Sequence, residues 1–248
     1  MRPDGPALDP TDLNDASEAV HAAIAQVAWL RDCPPSTLTL LLRGVRVRTY
    51  EPGESVLRRG DRIDRLVLVM SGSLETSSST AAGRRFVVSY VAPGHIVGLI
   101  PLLDGRGAIH DTVAHEPSRV MSIAGEDLLE AIDADRPLRH RVLKLLAARS
   151  RRLHVSLADT STLPLDVRLA RALLTLRAAY DTESVTDGDA IGLRVSQEGL
   201  AAMLGVPRQR INVELKALER DGVLRMAYLR VVLLDERLLR ERAAEPGG

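Results

Sequence analysis

The stretch SQEGLAAMLGVPRQRINVELKALERDGVL, residues 196–224, predicts two short helices joined by a tight turn. Ser196 is a good N-cap for the first helix, because its side chain can accept a bond from a free backbone amide. Gly205 can adopt the backbone angles of the turn, and Pro207 suits the first turn of a second helix over about 207–220. The second helix has a buried face at three- and four-residue spacing, formed by Ile211, Leu215 and Leu218. This layout indicates a helix-turn-helix.

The exposed half of the second predicted helix carries many side chains of the types that bind DNA. In the major groove an arginine pairs with guanine, and an asparagine or glutamine pairs with adenine. Residues 222–235, GVLRMAYLRVVLLD, predict the two strands of a β-wing that can reach phosphates. Between residues 191 and 232, seven basic and four acidic side chains leave a surplus of three positive charges. The predicted DNA contacts are Ser196, Arg208, Gln209, Arg210, Asn212, Lys216, Arg225 and Arg230.

The composition of the whole chain excludes several classes of protein. Its 33 basic and 33 acidic residues cancel, so only local clustering can indicate a nucleic-acid site. The single cysteine, Cys33, excludes disulfide frameworks and Cys-rich metal centres. No apolar run approaches the ~20 residues of a membrane span, and the start of the chain lacks the pattern of a secretory signal. We therefore expect a cytoplasmic protein without membrane contact, whose Pro-rich residues 1–14 form a disordered leader.

Residues 15–135 predict an antiparallel β-barrel with flanking helices. Apolar residues between Asp15 and Arg31 recur at helical spacing, and Pro34 and Pro35 end this helix. From Val45 onward, short β-rich runs alternate with Pro-Gly, Gly-Asp and Ser-Gly turns at the spacing of a barrel or sandwich. The segment TVAHEPSRVMSI, residues 112–123, predicts a hairpin that closes the barrel.

A long helix over residues 136–160 is predicted to pair with a second copy of the chain. Its sequence combines an apolar stripe with many cations, and a barrel alone offers little to cover that stripe. Near-heptad spacing of the stripe is typical of a two-stranded coiled coil. The predicted seam of this dimer helix consists of Val142, Leu145, Leu146, Arg149 and Leu153. Pro164 then begins a new unit, a DNA-binding domain over residues 164–240.

Across nearly its whole length the chain resembles the Crp/Fnr family of bacterial transcription regulators. The resemblance rests on Pro52-Gly53-Glu54, Gly60-Asp61 and Ser71-Gly72 in the barrel, and on LPLDVRLARALLTL, residues 163–176. It implies an α+β fold with a jelly-roll barrel like that of cyclic-nucleotide-binding domains, a long dimerisation helix and a C-terminal winged helix-turn-helix. It also implies a homodimer that binds double-stranded DNA at a roughly palindromic operator, with RNA polymerase as a candidate partner and no enzyme activity.

The recognition helix departs from the pattern of this family in two places. Members commonly carry Arg-Glu and then a second Arg four residues after the Glu. Here Arg208 matches the first position, Gln209 replaces the Glu, and Val213 stands where the second Arg is expected. Glutamine suits adenine, whereas glutamate accepts from cytosine, so we expect a shifted operator with Arg208 as the main base reader. Arg210 either contacts a phosphate or replaces the lost arginine.

In relatives that bind a cyclic nucleotide, the segment matching Gly98–Asp111 holds the ligand. The resemblance places Leu99 at a ribose-binding Glu, Ile109-His110 at a phosphate-binding Arg-Ser pair, and Leu153-His154 at an adenine-facing Thr-Ser pair. A buried phosphate without a cation is costly, so control by cyclic AMP is not expected. Two alternatives stay open: an unknown, less charged small-molecule effector, or a pocket filled by its own side chains. The residues of such an effector pocket are Leu99, Ile100, Arg106, Ile109, His110, Leu153 and His154.

Three histidines on neighbouring barrel segments, His95, His110 and His115, point to a second class of function. They could hold a metal or haem, either in a gas sensor or in a cupin-like metal-dependent enzyme. No His-x-His pair or carboxylate at a fixed spacing accompanies them, so neither a metal site nor another cofactor is predicted. The enzyme alternative also leaves the C-terminal domain unexplained.

Overall fold

Two four-stranded antiparallel sheets face each other in the N-terminal half of the chain. The computed structural model describes residues 20, 23–24, 27–80, 85–179, 186–187, 190–227 and 230–244. The strands of this half are β1 (Arg46–Tyr50), β2 (Ser55–Leu57), β3 (Arg65–Ser71), β4 (Leu74–Ser79), β5 (Arg85–Val91), β6 (Ile96–Val97), β7 (Asp111–Ala114) and β8 (Ser118–Ala124). The first sheet has the order β1-β8-β3-β6 and the second has the order β2-β7-β4-β5.

Apolar side chains, most of them aliphatic, fill the space between the two sheets. Successive side chains of a strand point to opposite faces, so Val67 and Val69 of β3 enter this space while Leu66 and Leu68 point outward. The interior cluster consists of Tyr50, Val67, Val69, Leu74, Val91, Ala114 and Val120. The antiparallel barrel predicted from turn spacing is therefore confirmed.

Helices cover the outer face of the first sheet. They are α1 (Pro35–Leu42), α3 (Gly125–Ala134) and the first turns of α4 (Arg136–Thr162), while α2 (Leu99–Asp104) lies between β6 and β7. The apolar stripe predicted near the N-terminus is buried in the same core, at Val20, Ile24, Val27 and Leu30. The predicted leader, residues 1–14, lies outside the described residues. None of the helices described here is long and apolar enough to cross a bilayer.

A buried aspartate determines where the long helix begins. Asp135 is the N-cap of α4, and its Oδ1 accepts a hydrogen bond from the backbone N–H of Leu138 at 2.9 Å. Its Oδ2 accepts from the Thr37 hydroxyl at 2.8 Å, which ties the helix start to α1. Pro137 fits the first turn because its missing N–H has no helical partner there. The predicted start of the long helix at residue 136 is thus confirmed, and α4 ends two residues beyond the predicted 160.

Helices and a small antiparallel sheet make up the described part of the C-terminal half. The helices are α5 (Leu165–Ala179), α6 (Gln197–Leu204), α7 (Arg208–Arg220) and α8 (Glu236–Ala243). The strands are β9 (Thr186–Asp187), β10 (Ala190–Leu193), β11 (Leu224–Ala227) and β12 (Arg230–Leu233), in the order β11-β12-β10-β9. The helix pair α6–α7 followed by the β11–β12 hairpin is the predicted winged helix-turn-helix.

One connection in the barrel differs from the sequence-based prediction. Strand β7 pairs with β2 and β4, whereas β8 pairs with β1 and β3. The short segment 115–117 therefore crosses from one sheet to the other, and the hairpin predicted over residues 112–123 is wrong. Local sequence shows where a strand ends, but the choice of partner strand depends on which face each strand buries.

The barrel and the C-terminal domain share one apolar core. Val87 and Tyr90 of β5, together with Ala92, are buried among the leucines of the C-terminal domain, Leu200 of α6 included. Gly199 of α6 lies directly against the Tyr90 hydroxyl. Because these apolar groups are removed from water only in the docked arrangement, their burial stabilises it.

Polar contacts surround this shared core. Arg194 forms an ion pair with Glu116 of the barrel. The His115 ring lies 4.7 Å from the Tyr90 ring, and its Nε2 is 3.1 Å from the backbone carbonyl of Arg194. Burial lowers the pKa of His115, so the neutral ring donates from Nε2 to that carbonyl. The first helix of the helix-turn-helix is thus held against the barrel by both kinds of contact.

We expect the substitution Gly199→Ala to strain the docking of the two domains. A Cβ at this position would lie 2.3 Å from the Tyr90 Oη and 3.5 Å from its Cζ. Overpacking of this kind costs about 1–3 kcal/mol, against the roughly 1 kcal/mol that alanine gains over glycine in a helix. The free energy of unfolding, measured by urea denaturation, should therefore fall.

The Tyr90→Phe background supplies the control for this measurement, because it removes only the obstructing oxygen. In that background Gly199→Ala should be neutral or stabilising, since Cζ lies at an ordinary contact distance. An equal loss of stability in both backgrounds would show that the Tyr90 hydroxyl is not the obstacle.

Candidate nucleic-acid interface

The first helix of the motif begins at its predicted cap. The Ser196 Oγ accepts a 2.9 Å hydrogen bond from the backbone N–H of Gly199. At the other end Gly205 adopts φ +68°, a left-handed conformation that costs glycine little. The N–H of Val206 then donates to the Ala201 carbonyl at 3.1 Å, which closes the turn. The second helix, α7, starts at Arg208, so Pro207 is its N-cap residue and not its first helical residue.

The side of α7 that faces away from the core carries the predicted base-reading side chains. Ile211, Leu215 and Leu218 are buried, as their spacing predicts. Asn212 is half-buried at the edge of this stripe. The exposed members of the predicted set on this helix are Arg208, Gln209, Arg210 and Lys216. The helix therefore presents guanidinium, amide and ammonium groups on this side.

A glutamine that the sequence argument missed connects the two helices of the motif. The Gln197 Nε2 donates to the Asn212 Oδ1 at 3.4 Å, and its Oε1 accepts from the Arg208 Nε, also at 3.4 Å. Hydrogen bonds of this length are weak. The bond between Arg208 and Gln197 therefore orients the Arg208 side chain but does not fix it in place. The sequence feature that could have identified Gln197 is its position directly after the Ser196 cap.

The wing contributes two further cations. Arg225 is exposed on β11, and Arg230 is half-buried on β12, opposite Ala227. The pKa of Arg194 is lowered by its own burial and by the positive charge of Arg230. Because Arg230 acts on it in this way, Arg194 is a third member of this basic region. Arg194 contributes to the local positive charge in the sequence but is not one of the predicted DNA contacts. Its ion pair with Glu116 connects this region to the barrel.

The residues of the predicted effector pocket differ widely in their exposure. Leu99 is 1% exposed and belongs to the core outside the first sheet. Ile100 and Ile109 are 39% and 47% exposed, and Leu153 is 68% exposed on α4. His154 is exposed as well. In a single chain these side chains either pack in a core or face solvent, and the effector pocket stays a prediction.

The two predicted polar handles of that pocket differ in their surroundings. The His110 Nδ1 lies 2.8 Å from the Ser78 hydroxyl, and both burial and the positive charge of Arg59 lower the pKa of His110. Arg106 is exposed, and its backbone N–H donates to the Asp104 carboxylate at 3.0 Å. A neutral His110 and an outward Arg106 offer no buried cation for a phosphate.

The barrel histidines do not converge on a common site. His95 Nδ1 lies 3.2 Å from the Pro93 carbonyl, whereas His110 and His115 contact Ser78 and Arg194. Within the described ranges of the chain, no three His, Cys, Asp or Glu side chains group in a way that could hold a metal ion. The alternatives of a metal-dependent enzyme or a haem or metal gas sensor are not supported.

The long helix turns four of its predicted seam residues toward the barrel. Val142 is 3% exposed in the core outside the first sheet, and Leu145 and Leu146 pack against the same core. The Arg149 Nη2 donates to the Ile96 carbonyl at 3.0 Å, and burial lowers the pKa of Arg149. Val142, Leu145 and Arg149 are therefore removed from the seam, because they already pack against or bond to their own barrel.

Other apolar side chains of α4 are left uncovered. Leu143 is 58% exposed, and Leu153 and Leu157 are each 68% exposed. With Leu146 and Ser150 between them they follow the alternating three- and four-residue spacing of a coiled-coil seam. Of the predicted set, Leu153 and the partly packed Leu146 fit this revised seam.

Comparison with known proteins gives two matches to family models. The cyclic nucleotide-binding domain model matches residues 47–135, which contain the barrel. The Crp-like helix-turn-helix domain model matches residues 167–242, which contain α6, α7 and the wing. The two matched segments flank the long helix α4.

Individual relatives match along most of the chain. The CRP-like cAMP-activated global transcriptional regulator of Mycobacterium tuberculosis is 25% identical over 223 residues, 89% of this chain and 98% of that protein. The cyclic AMP receptor protein of Thermus thermophilus is 28% identical over 209 residues, 84% and 93% of the two chains. A solved CRP-family transcriptional regulator from the same organism is 27% identical, with a TM-score of 0.65 over 79% of this chain and 96% of that one. With the winged helix-turn-helix described above, these matches place the chain in the Crp/Fnr family of DNA-binding transcription regulators.

Proposed function

We propose that two copies of the chain associate along α4 and place their α7 helices in successive major grooves of a roughly palindromic operator. The observation that carries this proposal is the exposed polar face of α7, which lies opposite its buried stripe of Ile211, Leu215 and Leu218. Half-sites for such a dimer lie about 34 Å apart, one turn of DNA. The regulator acts in the cytoplasm, with RNA polymerase as a candidate partner.

The revised seam on α4 supports the homodimer. Exposed leucines at heptad spacing are costly in a monomer, and a second copy of the same helix covers them in a closed, symmetric way. The two-fold symmetry of such a dimer is what a palindromic operator requires.

The contacts on α7 support a division of roles. Arg208 is the first residue of the helix and its Nε makes one long hydrogen bond, so it can reach a guanine. Gln209 is exposed beside it and suits an adenine. Lys216, Arg225 and Arg230 are placed for phosphates. Arg210 is exposed and suits either a phosphate or a base edge.

We further propose that cyclic AMP does not control this regulator, although relatives named above are called cAMP-activated or cyclic AMP receptors. Leu99 and Ile109 occupy the positions at which the family resemblance expects a carboxylate and a guanidinium. The space between the two sheets is packed with apolar side chains such as Val67, Val69 and Leu74. This packing favours the alternative of a pocket filled by its own side chains over that of a small-molecule effector.

The proposal is tested by selecting binding sites for the full-length protein from a randomised DNA duplex. We expect an enriched palindrome whose affinity falls steeply as salt rises and exceeds the affinity for random duplex. Cyclic AMP at millimolar concentration should leave that affinity unchanged. Failure to enrich any sequence would overturn the DNA-binding proposal, whereas a response to cyclic AMP would overturn only the claim about the effector.

The substitution Arg230→Ala is expected to weaken DNA binding evenly across sequences. A phosphate contact carries no base information, so selected and random duplexes should lose affinity by the same factor. The slope of log affinity against log salt should fall by about one unit for each lost contact. Fluorescence anisotropy over a salt series measures both quantities. An unchanged affinity would remove the wing from the DNA interface.

A further inference from the structure

We propose that Val213 reads a thymine in each half-site by packing against its 5-methyl group. This inference rests on the proposed function, because it requires α7 to be the helix that enters the major groove. It adds an apolar, specificity-determining contact to the polar contacts assigned above.

The position of Val213 on α7 is the first argument. Its side chain is 64% exposed, whereas the other β-branched or leucine side chains of the first three turns, Ile211 and Leu215, are fully buried. At 3.6 residues per turn, Val213 lies on the opposite side of the helix from the buried stripe. A valine gains nothing in stability there, since it is exposed and is a poorer helix former than alanine or lysine.

The neighbours of Val213 are the second argument. Gln209 precedes it by four residues and Lys216 follows it by three, so both lie beside it on the same face. Both neighbours are exposed, and within the described structure neither side chain has a hydrogen bond or ion pair. Val213 is therefore an apolar centre in the polar surface that faces the groove.

The chemistry of the major groove identifies the complement of such a centre. Each base edge offers hydrogen-bond donors and acceptors, and the only apolar group among the four unmodified bases is the C5-methyl of thymine. A valine forms no hydrogen bond, so it gains affinity only by removing that methyl from water. Burial of one methyl group is worth about a fourfold change in affinity, or roughly 15-fold for two half-sites.

The spacing of the two side chains predicts the local sequence. Gln209 and Val213 are about 6 Å apart along the helix axis, at 1.5 Å per residue. Base pairs are stacked about 3.4 Å apart, so the two side chains reach neighbouring or next-but-one base pairs. Since glutamine suits adenine, the half-site should contain an adenine and a thymine at this separation.

The experiment uses the full-length protein and the operator obtained by selection. Each symmetric pair of thymines is replaced by deoxyuridine, which removes the methyl groups and leaves every hydrogen-bonding atom. We expect one pair at which the replacement weakens binding roughly 15-fold. In the Val213→Ala variant the same replacement should have little effect, and the salt dependence of binding should equal that of the parent.

The matched control is Leu234→Ala, which removes an apolar side chain that is 52% exposed outside α7. It should retain the full sensitivity to deoxyuridine. If no thymine pair is sensitive, or if Val213→Ala keeps the sensitivity, the assignment of Val213 is overturned while DNA binding stands. If no operator is enriched at all, both this inference and the proposed function fail.

Discussion

The double substitution Leu153→Asp/Leu157→Asp is expected to convert the protein from a dimer to a monomer. Both leucines are 68% exposed in a single chain, so their replacement leaves the core of the protomer intact. In the dimer four leucines would lie in the seam, and burying each is worth about 1.5–3 kcal/mol. Four carboxylates at the same place add like-charge repulsion. We expect the dissociation constant of the dimer to rise at least about 1,000-fold.

Analytical ultracentrifugation over a concentration series measures this change. The matched control is Val155→Asp, because Val155 is 53% exposed on the same helix but points away from the seam. Leu146→Asp is a poorer test, since Leu146 also packs against the barrel core. A double variant that stays dimeric at micromolar concentration would show that the two copies associate elsewhere. Operator affinity should fall together with dimerisation, because linked half-sites bind with a large effective concentration.

The substitution Arg208→Ala is expected to remove most of the sequence preference of the protein. A bidentate arginine–guanine pair is worth about 1–3 kcal/mol, and a homodimer loses two of them. The affinity for the selected operator should therefore fall by roughly 30- to 20,000-fold. Affinity for random duplex should fall far less, because non-specific binding is dominated by contacts to phosphates.

Arg208→Lys separates charge from base readout at this position. Lysine keeps the positive charge but lacks the planar fork of arginine, so the salt dependence should persist while the preference for the operator declines. Arg220→Ala is the matched control, because Arg220 is an exposed arginine in the last turn of the same helix. It should change affinity by less than about threefold. Equal losses on operator and random duplex for Arg208→Ala would reassign Arg208 to a phosphate.

Much of the DNA-binding domain follows from local sequence. Ser196 caps α6, Gly205 has φ +68°, and the stripe of Ile211, Leu215 and Leu218 is buried as its spacing requires. These features depend on hydrogen bonds and backbone angles within a few residues, which a sequence displays directly. The Asp135 cap and the start of α4 belong to the same class.

The faces of the long helix could not be assigned in this way. Val142, Leu143 and Arg149 all fit a periodic stripe, yet Val142 packs on the barrel, Leu143 is exposed and Arg149 bonds to the Ile96 carbonyl. In the proposed dimer the helix is covered on one side by its own chain and on another by a second copy, and such a helix carries two overlapping stripes. The periodic spacing of the residues reflects both stripes, but it does not show which surface covers each of them.

Residues 196–224 alone thus establish a helix-turn-helix with its cap, its turn and its exposed polar face, because each of these features depends on interactions between near neighbours in the chain. Only the tertiary structure decides that Leu99 belongs to a core, that β7 and β8 lie in different sheets, and that Gly199 meets Tyr90 across two domains. The physical reason is that burial and strand pairing join residues far apart in sequence, and no local pattern specifies which distant surface will cover a given apolar side chain.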